Sequence, residues 1–305
     1  MRILIAGGTG FIGSQLTEKL VQEQHDLFVL TRNPERNTNT KQVTYMEWLR
    51  KGTKPEKQLP SIDAVINLAG ESLNSGRWNE KRKQAIMNSR IQSTRELIRI
   101  IQNLPEPPGV LIQASAIGYY GTSSDETFTE NHAESGNDFL ADVVTRWEEE
   151  AKKADSLLRT VIIRFGVVLG NKGGALPKMV LPYKWFIGGK VGTGRQWVSW
   201  IHVDDLVNLI DFSMKNSQVR GVLNGTAPSP VRNEEFGKTI GQLLHRPHWM
   251  PVPSFALRVL FGEMSLLLLE GQKVLPEKAM DYGFSFTYPK LDQALESILL
   301  NRKKN

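Results

Sequence analysis

The stretch Met1-Arg-Ile-Leu-Ile-Ala-Gly-Gly-Thr-Gly-Phe-Ile-Gly13 decides the fold of this chain. A short apolar strand leads directly into Gly7-x-x-Gly10-x-x-Gly13, and an amphipathic run follows as far as Gln22. Gly7 permits a tight turn, Gly10 lets a pyrophosphate approach bare backbone, and Gly13 lets the helix pack closely on the strand. Unpaired N–H groups and the positive end of the helix dipole favour the binding of phosphate at the helix N-terminus. The context predicts a dinucleotide-binding turn, with a turn that binds nothing as the alternative.

The composition is that of a soluble globular protein. The chain has 305 residues, of which 40% are hydrophobic and 23% are charged, and it has no cysteine. Disulfides, thiolate metal sites and cysteine nucleophiles are therefore excluded, and we predict no metal site. The N-terminus does not resemble a signal peptide. The apolar run Leu266 to Leu269 is too short to span a bilayer. We therefore expect a cytoplasmic protein with no membrane contact.

The formal net charge is +6, and part of the excess lies in Asn79-Glu-Lys-Arg-Lys83 and in Arg302-Lys-Lys304. Nucleic acid could bind such a surface. The basic residues are, however, interspersed with acids, and no series of aromatic residues accompanies them. We expect solvated basic segments and no nucleic-acid partner.

Strand-like and helical patterns alternate through the first two-thirds of the chain. The apolar runs are Leu27–Leu30, Asp63–Leu68, Val110–Ser115 and Thr160–Phe165, and the helical runs are Glu80–Asn103 and Asp138–Ala154. This rhythm predicts the α/β class: a doubly wound parallel Rossmann-type sheet with a smaller C-terminal substrate lobe. We expect an NADP-binding Rossmann domain at 1–170, with later strands contributed from 200–228. Residues 171–305 would form mainly the substrate lobe and C-terminal extension, with helices at Asn233–Leu244, Pro253–Gln272 and Leu291–Leu299.

The second strand indicates which dinucleotide is bound. Thr31 and Arg32 close it, and its end carries no acid that could accept from a ribose 2′-hydroxyl. A guanidinium there could pair with a 2′-phosphate through charge-assisted hydrogen bonds. We therefore favour NADP(H), with an ordinary exposed arginine as the alternative.

Further motifs carry a resemblance to a known family. They are Asp63-Ala-Val-Ile-Asn-Leu-Ala-Gly70, Ser115-Ala-Ile-Gly-Tyr-Tyr-Gly121, Arg164-Phe-Gly-Val-Val-Leu-Gly170 and Trp200-Ile-His-Val-Asp-Asp-Leu206. With the N-terminal turn, they resemble the extended short-chain dehydrogenase/reductases of the NAD(P)-dependent epimerase/dehydratase family. Four more segments are similar to its atypical epimerase-like subgroup, which has an extra C-terminal domain: Arg77-Trp-Asn79, Asn88-Ser-Arg90, Leu223-Asn-Gly-Thr-Ala-Pro228 and Leu269-Glu-Gly-Gln-Lys-Val274.

The resemblance implies a set of site residues. Ser115 matches the serine that orients the substrate oxygen, and Tyr119 is a second candidate polar group at the nicotinamide. The cofactor-binding residues would be Gly7, Thr9, Gly10, Phe11, Ile12, Gly13, Thr31, Arg32, Leu68, Ala69, Gly70, Arg90 and Ser115. Related folds often dimerise through two helices, so a homodimer is an open alternative to a monomer.

The chain departs from the family pattern at the catalytic pair. Typical members use Tyr-x-x-x-Lys for proton transfer, and this chain contains no such motif; Phe139 and Val143 take the two positions. Arg90 stands four residues before Thr94, where typical members have Asn. It would contact a cofactor or substrate phosphate, or lie on the surface.

Other polar residues could supply the missing proton transfer or bind the substrate. Asp138 and Asp142 could act as bases if burial raised their pKa, Arg195 could bind a substrate phosphate, and His202 would be structural by resemblance. We predict an NADP(H)-binding, epimerase-like oxidoreductase of a small-molecule substrate. The alternative is a catalytically silent NADP(H)-binding protein that reports redox state to a partner.

Overall fold

The computed structural model describes residues 1–73 and 76–300. The basic segment Arg302–Lys304 lies outside these residues. In the described part, no helix is both long and apolar enough to cross a membrane.

The strands and helices are numbered along the chain. The strands are β1 Arg2–Ala6, β2 Asp26–Thr31, β3 Val43–Glu47, β4 Ala64–Asn67, β5 Val110–Ala116, β6 Thr127–Phe128, β7 Arg159–Phe165, β8 Val167–Leu169, β9 Trp197–Val198, β10 Trp200–His202, β11 Gly221–Gly225, β12 Val231–Arg232 and β13 Lys273–Val274. The helices are α1 Phe11–Gln22, α2 Glu80–Gln102, α3 Phe139–Lys152, α4 Leu176–Lys184, α5 Val203–Lys215, α6 Asn233–Leu244, α7 Ser254–Phe261, α8 Leu266–Leu269, α9 Glu277–Asp281 and α10 Leu291–Leu299. Short 3₁₀ helices span Pro34–Arg36, Pro55–Lys57, Ile117–Tyr120 and Gly262–Ser265.

Seven parallel strands form the central sheet, in the order β11-β7-β5-β4-β1-β2-β3. From β1 the chain first runs outward to β2 and β3, then returns to place β4 on the other side of β1. This reversal opens a crevice at the carboxyl ends of β1 and β4, where open α/β sheets bind ligands.

Alternating residues of each strand pack on opposite layers of helices. Ile3 and Ile5 of β1 belong to the core that includes Leu16 of α1 and Leu206 of α5. Their neighbours along the strand belong to a second core, which includes Leu97 of α2. The sheet is therefore covered on both faces, which is why its strands read as continuous apolar runs. The predicted doubly wound parallel sheet is confirmed.

The structure differs from the sequence interpretation in three details. The edge strand β3 was missed. Of the stretch 200–228, only β11 joins the central sheet, because Trp200–His202 pairs with β8 in a separate two-stranded sheet. The helical segment predicted over 253–272 consists of α7, the 3₁₀ helix Gly262–Ser265 and α8, and Gly262 has a φ of +58°.

The later part of the chain has a core of its own. Trp200 is fully buried in it, and Tyr183 of α4, Phe236 of α6 and Leu295 of α10 surround it. Leu169 of β8 also belongs to this third core, and only Gly166 separates β8 from the end of β7 at Phe165.

Candidate functional site

The glycine turn after β1 is built without room for side chains. Gly7 has a φ of +82°, and a Cβ placed on it would lie 2.7 Å from the carbonyl of Leu68. A Cβ on Gly13 would lie 2.1 Å from the Gly7 oxygen. The Gly10 N–H donates to that same oxygen across 3.1 Å, which closes the turn. The motif therefore joins β1, α1 and the end of β4 by backbone contact.

Helix α1 presents its N-terminus to open space. Gly10 is the N-cap residue; within the described chain no side chain caps the helix, and the first turn carries no acid. A Cβ on Gly10 would meet only the Gly7 oxygen, at 3.3 Å, so protein atoms do not fill the space above this residue. A pyrophosphate fits such a cradle, because free N–H groups and the positive end of the helix dipole face it.

Thr9 and Gly10 are exposed at the turn, whereas Phe11 and Ile12 are half-buried. The Phe11 ring supports the loop that follows β8, since a Cβ on Gly170 would lie 2.6 Å from its Cζ. We therefore assign Phe11 a packing role with its ring and leave only its backbone N–H to the cradle.

The end of β2 presents a free cation. Arg32 is exposed and has no hydrogen bond or ion pair to any part of the chain that the structure describes. The hydroxyl of Thr31 accepts from the Asn33 N–H across 3.3 Å, which shapes the turn that follows. Arg36, which the sequence analysis did not single out, is also exposed in this loop. The spacing Arg32-Asn-Pro-Glu-Arg36 was the available signal.

The chain leaves β4 through Leu68, Ala69 and Gly70 along the edge of the crevice. The Ala69 N–H donates to Asn67 Oδ1 across 3.1 Å, and the amide nitrogen of Asn67 donates to Thr94 Oγ1 on α2. This buried network fixes the path of the segment toward α2.

Arg90 of α2 lies directly against that segment. A Cβ on Gly70 would be 3.4 Å from Arg90 Cζ, and the guanidinium lies over the Trp147 ring with 5.2 Å between Cζ and the ring centroid. Burial lowers the pKa of Arg90 to about 10. The structure thus places Arg90 on the crevice wall and not on the open surface.

Ser115 is buried, and its hydroxyl is engaged. It donates to Glu148 Oε1 of α3 across 2.6 Å, and Arg164 of β7 donates to both oxygens of the same carboxylate at 2.8 Å. Burial alone would lower the pKa of Arg164, but its hydrogen bonds to Glu148 outweigh this effect and raise it. Sequence reasoning missed Glu148, because it stands in a run of three glutamates that carries no signal of burial.

Two tyrosines flank this buried pair. Tyr119 stacks on the guanidinium, with 3.3 Å between Arg164 Cζ and the ring centroid, and its hydroxyl donates to the Ala133 oxygen across 2.7 Å. Tyr120 is buried and donates to Asn224 Oδ1 across 2.9 Å. Burial raises the pKa of Tyr120, so this phenol keeps its proton at neutral pH. Tyr119 is half-buried, and both tyrosines are held by hydrogen bonds.

Phe139 and Val143, the residues that the resemblance aligns with the Tyr-x-x-x-Lys pair, lie in an apolar cluster. Phe139 packs edge-on against Trp78, with 5.4 Å between ring centroids, and Val143 is buried in the same cluster. Met264 and Leu267 of the C-terminal segment pack against it as well. No group of this cluster can exchange a proton.

The remaining candidates are Asp138, Asp142, His202 and Arg195. Asp138 accepts from the Ala141 N–H as the N-cap of α3, and Asp142 pairs with Arg146. His202 caps α5 by accepting from the Asp204 N–H, while Arg195 is exposed. Across residues 1–73 and 76–300, no cluster of His, Asp and Glu has the size of a metal site.

Comparisons with known proteins agree with this architecture. Residues 3–224 match the NAD dependent epimerase/dehydratase family, and residues 252–298 match a domain of unknown function, DUF1731. Epimerase family protein YfhF of Bacillus subtilis is 51% identical over 304 residues, with 99% of each chain covered. Epimerase family protein SSP1921 of Staphylococcus saprophyticus is 46% identical, with 97% of this chain and 98% of that protein covered.

Among solved structures, human epimerase family protein SDR39U1 (isoform 2), crystallised with NADPH, superposes with a TM-score of 0.87. It is 35% identical, and the match covers 98% of this chain and 99% of that chain. The UDP-glucuronic acid 4-epimerase of Bacillus cereus shares the fold, with a TM-score of 0.79 at 15% identity over 98% of each chain. The chain belongs to the NAD dependent epimerase/dehydratase family.

Proposed function

We propose that this protein binds NADP(H) in the crevice between β1 and β4 and acts as an epimerase-like oxidoreductase on a small molecule. The observation that carries the proposal is the open cradle at the N-terminus of α1, with the unpartnered Arg32 at the end of the adjacent strand. The cradle suits the pyrophosphate, and the guanidinium suits a 2′-phosphate. The NADPH in the structure of human SDR39U1 supports the choice of dinucleotide.

In this proposal the chain's residues hold and orient the cofactor. Gly7, Gly10 and Gly13 give the pyrophosphate access to backbone N–H groups, and Arg32 selects for the 2′-phosphate. Leu68 and Ala69 border the adenosine side, and Thr9, Phe11, Ile12, Thr31, Gly70 and Ser115 complete the site. When bound, the dinucleotide supplies a hydride donor or acceptor.

An enzymatic function needs a proton donor. The Ser115 hydroxyl already donates its hydrogen bond to Glu148, and the resemblance aligns the apolar Phe139 and Val143 with the usual acid–base pair. Tyr119 is the half-buried phenol near this end of the sheet, and we propose it as the group to test.

A second candidate function follows from the same observation. A dinucleotide site beside an apolar cluster with no acid–base pair also suits a catalytically silent protein that reports the NADP⁺/NADPH ratio to a partner. In that case the partner and the cofactor must change each other's affinity by the same factor.

Isotope transfer separates the two functions. The protein is incubated with a metabolite extract and NADPH deuterated at either face of C4, and labelled products are sought by mass spectrometry. A labelled product that is absent with Gly10→Asp identifies an oxidoreductase and its substrate. Confirmed NADPH binding without a labelled product, together with a partner that prefers one redox form, supports the silent sensor. A wild-type protein that does not bind NADPH contradicts both.

A further inference from the structure

Large hydrophobic side chains are exposed mainly on two segments of the C-terminal part, 181–190 and 245–260, which together we call the lobe face. All exposed aromatic side chains of the described residues lie here, and exposed aliphatic ones accompany them: Trp185, Phe186, Trp249, Phe255, Val259 and Leu260. Outside the lobe face and the neighbouring α8, the described chain exposes large hydrophobic residues only singly. Single exposed residues of this kind are ordinary, whereas a group of them marks an interaction site.

Hydrogen bonds hold the two segments of the lobe face side by side. The Trp249 indole N–H donates to the Phe186 oxygen across 2.8 Å. Further along, the Val252 N–H donates to the Lys190 oxygen across 2.9 Å. Helix α7 begins two residues after Val252, at Ser254. The exposed side chains that follow α4 and those of α7 therefore belong to one region of the protein.

Helix α7 is apolar on its outer side. Phe255 and Val259 stand one helical turn apart and are 72% and 70% exposed, and Leu260 is 61% exposed. The buried residue of this helix is Leu257. Because residues i and i+4 share a helix face, α7 turns an apolar face outward, whereas a helix that faces water carries polar residues on that side.

The aromatic side chains that follow α4 are also held outward. Phe186 has a φ of +63°, a conformation that residues with a Cβ rarely adopt. Its ring is exposed all the same, and the Arg246 guanidinium lies over it, with 4.2 Å between Cζ and the ring centroid. Trp185 beside it is exposed as well. A residue that keeps an apolar ring exposed in a rare backbone conformation points to a function for that ring.

The lobe face carries positive charge. Its two segments contain Lys184, Lys190, Arg246 and Arg258, and no aspartate or glutamate. Within the described residues, none of these four side chains forms an ion pair. Two acids that border the face are paired with lysines outside it: Glu234 with Lys238 and Glu263 with Lys83. The charge of the face is therefore available to an anionic partner.

Three kinds of partner could cover an apolar and positively charged face. In a two-fold dimer the face would meet its own copy, and the like charges would repel each other. Single-stranded nucleic acid would bind the charges and stack on the aromatic rings, but it would leave Val259 and Leu260 without apolar contacts. An anionic bilayer surface uses both features, because lysine and arginine bind its headgroups while aromatic and aliphatic side chains enter the acyl boundary.

We propose that the lobe face binds the surface of an anionic phospholipid bilayer, with α7 and the rings of Trp185, Phe186 and Trp249 at the boundary between headgroups and acyl chains. This binding goes beyond the proposed function and does not depend on it. The expectation of no membrane contact rested on the lack of a long apolar run, and a protein that lies on a membrane surface needs none. Arg77, which precedes α2, donates to the Leu260 oxygen across 2.9 Å. The membrane-facing helix therefore adjoins the helix that forms a wall of the crevice.

Co-sedimentation of the full chain with vesicles tests the proposal. The vesicles consist of phosphatidylcholine alone or of phosphatidylcholine with phosphatidylglycerol. Wild-type protein should bind the anionic vesicles at least about tenfold more tightly than the neutral ones. Binding should weaken as NaCl is raised from about 50 to about 500 mM, because salt screens the headgroup charge. Wild-type protein that stays in the supernatant with both kinds of vesicle at low salt overturns the proposal.

A double substitution tests the apolar side chains. Phe186→Asn with Val259→Gln removes two of them, and asparagine tolerates the positive φ of residue 186. Leu49→Asn with Met280→Gln is the matched control, because Leu49 has a φ of +58° and both residues are exposed outside the lobe face. The first variant should bind anionic vesicles at least about tenfold more weakly than wild type, and the control should bind them equally well. Equal binding by the two variants overturns the proposal.

A single substitution tests the charge. Arg258→Gln should lower the affinity for anionic vesicles by about fivefold. Lys41→Gln removes an exposed charge near the start of β3 and should leave that affinity unchanged. The thermal unfolding midpoint and the NADPH affinity are measured for every variant. Both should match the wild-type values, because the substituted side chains are exposed and lie outside the cradle.

Two other results would assign the lobe face to a different partner and overturn the proposal. One is a wild-type dimer in size-exclusion chromatography that Phe186→Asn with Val259→Gln converts to a monomer. The other is a single-stranded oligonucleotide that wild type binds more tightly than anionic vesicles and that the same variant binds more weakly.

Discussion

The hydroxyl of Ser115 donates to the carboxylate of Glu148 across 2.6 Å, in a part of the protein where both side chains are almost fully buried. The same carboxylate receives two hydrogen bonds from Arg164. Ser115, at the carboxyl end of β5, therefore directs its proton into the protein and toward α3. This arrangement makes Ser115 a link in a buried ionic network, and its contribution to substrate orientation would require that hydrogen bond to break.

The first prediction concerns the stability of this network. Glu148→Gln leaves the buried Arg164 charge uncompensated and should lower the free energy of unfolding by about 3 kcal/mol. Ser115→Ala removes one hydrogen bond to a carboxylate that keeps its arginine, and should cost about 1–2 kcal/mol. Urea unfolding of the two variants measures both values. A Ser115→Ala protein with wild-type stability would show that the hydroxyl is not committed to Glu148.

The sheet could be predicted from the sequence because both of its faces are buried. Continuous apolar strands and an amphipathic helix after the glycine turn leave few alternatives, and Asn233–Leu244 was predicted with its observed bounds. The edge strand β3 was not predicted, because it has a neighbouring strand on one side only. Its buried and exposed residues also alternate less clearly, since Thr44 and Tyr45 are both half-buried.

The site could be predicted only where the backbone determines it. The close contacts of Gly7 and Gly13 follow from the spacing of the three glycines, because a strand, a turn and a helix must meet there. The partner of Ser115 could not be predicted, since Glu148 is one of three consecutive glutamates and lies 33 residues away. The stacking of Arg90 on Trp147 could not be predicted either, because it depends on which helices the fold brings together.

The second prediction concerns the choice of dinucleotide. Arg32→Gln should lower the affinity for NADPH by about tenfold to a hundredfold and leave that for NADH unchanged, because only the former has a 2′-phosphate for the guanidinium to bind. Fluorescence titration with both dinucleotides measures the ratio of the NADPH affinity to the NADH affinity. Arg2→Gln is the control, since Arg2 is the first residue of β1 and lies at the end of the strand away from the glycine turn. An unchanged ratio would contradict a role of Arg32 in binding the 2′-phosphate, and Arg36 would be the next residue to substitute.

The third prediction concerns the contact between α1 and the turn. Gly13→Ala places a methyl group 2.1 Å from the Gly7 oxygen, so α1 must move away from β1. We expect a loss of about 3 kcal/mol in the free energy of unfolding and weaker NADPH binding. Gly109→Ala is the matched control, because its Cβ would meet only the Asp63 oxygen, at an ordinary 3.5 Å. If both substitutions lowered the free energy of unfolding equally, the close contact between α1 and the Gly7 oxygen would be refuted.

The fourth prediction concerns pH and the buried His202 at the start of α5. Its Nδ1 accepts from the Asp204 N–H, and its Nε2 lies 3.1 Å from Ser297 Oγ of α10. Burial lowers the pKa of His202 below its usual 6.5, although Asp204 and Asp205 act in the opposite direction. The unfolded chain thus binds the proton more readily than the folded one. The contribution of neutral His202 is complete above pH 6.5 and is lost as the pH falls below that value, at up to about 1.4 kcal/mol per pH unit.

His202→Asn isolates this effect, because asparagine also accepts at an N-cap but does not titrate. At pH 8, where the imidazole is neutral in both states, the variant should differ from wild type by about 1 kcal/mol or less. Between pH 6.5 and 5, wild type should lose stability more steeply than the variant in urea unfolding. Parallel curves across this range would show that His202 takes up its proton as readily in the folded protein as in the unfolded chain, and that burial between α5 and α10 does not govern its charge.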